Sequence, residues 1–134
     1  EPLARVARNM RGEQFYHLKH WEVWFKQLMT STEEARKRME TQIERVWQDF
    51  YGVLTLGPFA EQMARYKLIE EERVLVNRCL ELLFNMFKQV GYLPPTEKPG
   101  LVRGDGRAGL HTPDLDLALT TLAEVYNLDP AASW

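Results

Sequence analysis

The sequence predicts an all-α chain. Apolar residues recur every three or four positions over long runs, and no stretch alternates with the period of a strand. The breaks between runs carry helix-capping chemistry. With 134 residues there is room for one core, so a single helical domain over residues 1–134 is expected. The formal net charge of -2 gives no electrostatic case for nucleic acid or an anionic membrane. The single cysteine, Cys79, excludes an intramolecular disulfide and a multi-cysteine zinc site, which fits a reducing cytoplasm. The apolar runs are too short to span a bilayer, and the charged start is not that of a signal peptide.

The first helix is expected from about Leu3 to Met29, with Leu3, Val6, Met10, Phe15, Trp21, Trp24, Phe25 and Leu28 at helical intervals. Thr30, Ser31 and Thr32 form a break, and Ser31 with Glu34 reads as a capping box for a second helix running to about Tyr51. Met39, Ile43, Val46, Trp47 and Phe50 are its expected buried stripe. The rest of its surface is a solvated charge run in which Glu34 can pair with Arg38, and Arg36 with Glu40. Gly52 to Pro58 is a connector, and a helical segment resumes near Phe59. Val76, Cys79, Leu80, Leu83, Phe84, Phe87 and Val90 then cover more than half a circle, so this helix is expected to be buried on two sides and to end at Gly91. Residues 92–111 form a Pro- and Gly-rich loop whose length points to function or to a second chain. The last helix takes Thr112 as N-cap and Pro113 at its first position, with Asp114 and Asp116 favoured by the dipole, and stops near Asn127. Trp134, at the end of the tail, is expected to be docked.

One stretch carries candidate site chemistry. Glu13, His17, His20 and Trp24 are spaced by four, three and four residues and share a helix face. A carboxylate and two imidazoles so placed resemble one wall of a metal site in a helical bundle, with Glu13, His17 and His20 as the ligands. Di-iron bundles use a Glu-x-x-His pair. Here the residue three before His17 is Gln14, a neutral amide that is a poor iron ligand. The stripe therefore reads better as a buried polar cluster of Glu13, Tyr16, His17 and His20. The run GDGRAG (residues 104–109) matches a dinucleotide-binding fingerprint, but lacks the strand and helix which that motif requires. Lys98, Arg103 and Arg107 in the same loop are candidates to meet a phosphate or a partner's carboxylates; otherwise they face water. His111 reads as part of the hydrogen bonding at the start of the last helix, and Cys79 as core filling.

The run RGEQFYHLKHWEVWFKQLMTSTEEARKRMETQIERVW resembles the helix, gap and helix of the phenylacetate-catabolism subunits related to ferritin-like di-iron oxygenases. A second run, GRAGLHTPDLDLALTTLAEVYNLDPAASW, is similar to that family's C-terminal segment. The resemblance implies a partial ferritin-like bundle of long antiparallel helices, covering about the second half of a usual family member. With Gln14 at the ligand position, it implies the structural, non-catalytic subunit of an enzyme like phenylacetyl-CoA 1,2-epoxidase. Such a chain would bind no cofactor itself; iron would sit in a partner catalytic subunit, with self-association also expected. The alternatives are a catalytic iron subunit using Glu13 and His17, and an unrelated helical interaction domain.

Overall fold

The computed structural model describes residues 2–132, so Trp134 lies outside the described residues. The chain is all-α: seven α-helices and one 3-10 turn, with no strand, among the described residues. It divides into two compact units, one of Glu1–Trp47 with Asn77–Glu97 and the other of Gln48–Val76 with Lys98–Trp134.

The first unit holds α1 (Pro2–Ser31), α2 (Glu33–Trp47) and all but the first turn or so of α5 (Glu72–Gln89). α1 runs straight through Gly12 and one residue beyond Thr30, so Ser31 is its last residue and not the cap of α2. That cap is Thr32, whose Oγ1 accepts the Ala35 N–H at 3.1 Å. The expected ion pairs on α2 form, with Arg38 to Glu34 at 2.6 Å and Arg36 to Glu40 at 2.8 Å. The core is aromatic. Phe25 and Met29 of α1, Trp47 of α2, Leu80, Met86 and Phe87 of α5, and Val90 just beyond it are buried. Phe87 sits at the centre, its ring 5.8 Å from Phe25, 6.0 Å from Trp47 and 5.3 Å edge-on from Tyr92. Trp47 Nε1 donates to Thr96 Oγ1 at 3.1 Å, which ties down the chain beyond α5. α2 stops at Trp47, short of Tyr51, and Val46 is exposed, because the buried edge follows Ile43 and Trp47 one turn apart.

Gly91 ends α5 as expected, in the left-handed conformation (φ 65°) that lacks a Cβ penalty only for glycine. The Tyr92 N–H reaches back to the Phe87 carbonyl at 3.0 Å and the Gly91 N–H to that of Lys88 at 3.2 Å, the paired closure of a Schellman motif. Arg36 completes this end. Its Nη1 and Nη2 donate, each at 3.1 Å, to the carbonyls of Val90 and Gly91. A cation there also meets the negative end of the helix dipole. The solvated charge run expected on α2 thus contains one residue that is half-buried and joins two elements.

In the second unit the expected connector begins with a helical turn, α3 (Tyr51–Leu54). α4 (Ala60–Arg65) is separated from α5 by a turn at Lys67 (φ 56°). The glycine-rich loop is stitched to the segment Gln48–Tyr51. Tyr51 N donates to Gly100 O at 3.0 Å, and Val102 N to Gln48 O at 3.2 Å. A Cβ on Gly100 would lie 2.5 Å from the Gln48 carbonyl oxygen. Thr112 has the extended backbone of an N-cap before α6 (Pro113–Leu122), but its hydroxyl donates to Asp114 Oδ2 at 3.1 Å and caps no backbone N–H. The last helix is broken at Ala123 and continues as α7 (Glu124–Leu128). Just before the break, the Thr120 and Thr121 hydroxyls bond back to the carbonyls of Asp116 and Leu117, a contact that bends helices.

Candidate functional site

The acid-histidine stripe lies where periodicity puts it, on one face of α1, but in exposed surroundings. Every described residue of α1 before Glu22 is exposed, including Glu13, Tyr16, His17 and His20. Among the described residues, no hydrogen bond or ion pair joins these four, so the buried polar cluster expected from sequence does not form within this chain. The His20 ring lies beside that of Trp24, their centroids 6.1 Å apart. Toward the core the helix becomes aromatic: Trp21 stacks on Phe25 at 5.0 Å with ring planes 9° apart, and Phe25 leads into the buried cluster. The stripe is thus anchored to the core at one end and open at the other.

Iron is the metal that the resemblance brings in. One carboxylate and two imidazoles from a single helix are fewer ligands than a di-iron centre uses, which draws on four helices. Among the described residues, no group of three or more His, Cys, Asp or Glu is arranged to hold a metal ion. The ligand set offered by these residues alone does not fit a di-iron centre.

The loop basic residues have separate surroundings. Arg103 is committed to Asp49: its backbone N–H donates to Oδ1 at 2.6 Å and its Nε lies 3.2 Å from Oδ2. Arg107 is exposed, and its Cβ and backbone pack where Gly57 leaves room. Lys98 is also exposed. Asp105 organises the loop. Its Oδ1 accepts the Arg107 N–H at 2.9 Å and the Thr55 hydroxyl at 3.1 Å, and its backbone carbonyl accepts from Ala108 and Leu110 at 3.0 Å each. The Gly-Asp-Gly run therefore builds an Asx turn and a 3-10 turn (Gly106–Ala108) closed by Gly109 at φ 87°, with no strand before it. His111 is exposed, its imidazole beside the open face of Gly106.

Two groups escaped the sequence reading. Arg36 is one; its signal was the unexceptional Arg36–Glu40 spacing. Tyr92 is the other: its ring is buried against Phe87 and its hydroxyl has no hydrogen-bond partner. Burial raises its pKa above the ordinary tyrosine range, with Glu44 and Glu40 adding to the effect. Burial also pushes the Cys79 thiol up, which makes it a poor nucleophile and agrees with core filling.

The profile of the phenylacetic acid catabolic protein family matches residues 1–134, and the chain belongs to that family. Its members are oxygenase-type components of a multicomponent catabolic complex for phenylacetate. An unrelated interaction domain is thereby set aside. No curated protein and no solved structure matches the chain. Among the described residues, no helix is long and apolar enough to cross a membrane.

Proposed function

We propose that this chain is a structural, non-catalytic subunit of a cytoplasmic multicomponent di-iron oxygenase acting on an aromatic coenzyme A thioester. Its work is to hold a catalytic subunit that carries the iron. The observation that carries this reading is Gln14. It stands three residues before His17, where a catalytic subunit places the glutamate of Glu-x-x-His. The exposure of α1 supports it further. Phe15, Trp21 and Trp24 remain 40–55% exposed on the same helix segment as Glu13, His17 and His20. Large aromatic side chains left open on a helix are the composition of an interface core.

A second reading has an observation of its own. Glu13, His17 and His20 are open to the outside, so carboxylates from another helix or another chain have access to them. In that case the chain contributes ligands to an iron site.

Anaerobic reconstitution with ferrous ion, followed by iron analysis of the chain alone and mixed with a catalytic subunit that bears two Glu-x-x-His helices, separates the readings. The scaffold reading expects iron to follow the catalytic subunit, with this chain co-eluting iron-free before mixing. About two iron ions per chain in the absence of a partner would overturn it. Replacing Gln14→Glu sharpens the contrast: it improves iron binding if α1 supplies ligands and leaves it unchanged if it does not.

A further inference from the structure

Six residues of α1, namely Val6, Met10, Glu13, His17, His20 and Trp24, follow one another at steps of four, three, four, three and four. That is the heptad spacing with which one helix seats along another. All six are exposed, and nothing among the described residues covers the seam they form. Its edges are as regular as its centre. Ala7, Gln14 and Trp21 run along one edge and Asn9, Tyr16 and Val23 along the other, none with a formal charge. Arg5, Arg8, Arg11, Lys19 and Glu22 all fall on the remaining heptad positions, away from the seam. Glu13 is therefore the one formal charge that a seated helix would meet, and the imidazole N–H groups of the same seam are its complement.

We infer that α1 pairs antiparallel with α1 of a second copy, Glu13 of each chain facing His17 of the other. The remaining layers follow from that one match: Met10 faces His20 and Val6 faces Trp24, each pair occurring twice about the twofold axis. The carboxylate accepts an imidazole N–H, a charge-assisted bond, and aliphatic side chains lie against the other rings. The six layers span about 27 Å of helix at 1.5 Å per residue. Charge complementarity selects this arrangement. Parallel chains in register would set Glu13 against Glu13 and each histidine against itself. An antiparallel pair slid by one heptad would leave the carboxylate opposite Trp24 or Met10. All six residues belong to one compact unit of the chain, and Trp24 stays 47% exposed next to the buried Phe25. The pairing goes beyond the scaffold reading and does not rest on it; a catalytic subunit that seats on Trp21 and Trp24 would compete with the second copy.

The test is a charge exchange read by analytical ultracentrifugation of the chain alone. Wild type is expected to dimerise at micromolar concentration. His17→Glu sets two carboxylates against each other in both central layers and is expected to weaken dimerisation by at least about tenfold. Glu13→Lys removes the acceptor and is expected to weaken it as well. Mixing the two variants gives Glu13 facing His17 in one layer and the new lysine facing the new glutamate in the other, so a heterodimer is expected. A chain carrying both changes is expected to dimerise again, which also shows that the substitutions leave it folded. Cross-linking reads the direction. In a Cys79→Ser background, a Val6→Cys chain mixed with a Trp24→Cys chain is expected to form a disulfide-linked dimer in oxidised glutathione, and Val6→Cys alone to form none. A monomeric wild type, single variants that associate as well as wild type, a mixture that stays dissociated, or efficient cross-linking of Val6→Cys to itself would each overturn the pairing.

Discussion

Arg36 shows how much a single side chain can decide. Its guanidinium serves Glu40, Val90 and Gly91 together, which needs a planar fork and not a point charge. Arg36→Lys is therefore expected to lower stability by about 1–2 kcal/mol in urea titration. Arg38→Lys, at an exposed pair on the same helix, should cost less than about 0.5 kcal/mol. Equal losses at both positions would refute the role given to Arg36. Nothing in the sequence separates these two arginines, because the carbonyls that distinguish Arg36 are 54 and 55 positions away. Tyr92 makes the converse case, a polar group buried with nothing to bond. Tyr92→Phe removes the desolvated hydroxyl and is expected to raise stability by about 1 kcal/mol. It should also change the alkaline limb. The folded state holds the Tyr92 proton more tightly than the unfolded chain does, so the associated stability is intact below the ordinary pKa near 10.0. It is lost as pH climbs past that value into the raised range, and the phenylalanine variant should lack this component in pH-dependent melts.

At the level of elements, periodicity and punctuation specified most of the helices, and the misplacements have local causes. The break between α1 and α2 moved by one residue because Thr32, not Ser31, reaches a free backbone N–H. The final helix divides at Ala123, just after two adjacent threonines that bond back to their own helix, a local detail that apolar spacing does not register. The length of the loop was legible, but its stitching to Gln48 and Asp49 was not, since that depends on a contact across some fifty residues. Two glycines separate the local and non-local effects. Gly12 lies mid-helix with nothing within 4 Å of a would-be Cβ, so Gly12→Ala should stabilise α1 by about 0.5–1 kcal/mol, seen as greater helicity by circular dichroism. Gly100 faces the Gln48 carbonyl at contact distance, and Gly100→Ala should cost about 1–3 kcal/mol and lower the melting temperature. A neutral Gly100→Ala would show that the loop does not seat against Gln48 as described.

For the whole molecule, the fold class and the family were both readable from the chain, because each rests on long local runs. The surroundings of the candidate site were not readable. The spacing of Glu13, His17 and His20 fixes which face of α1 they share, yet says nothing about what covers that face, and among the described residues nothing does. Burial belongs to tertiary and quaternary structure, which is why a stripe with the right period was expected inside a core and lies outside one. The same exposure has a temporal side. The first part of α1, up to Trp21, buries no side chain among the described residues, so its amide hydrogens should exchange with deuterium faster than those of α5, whose buried face is locked by Phe87. Each molecule that docks on α1 will close part of that helix to exchange, and the order in which its turns fall silent will be a record of the order of assembly.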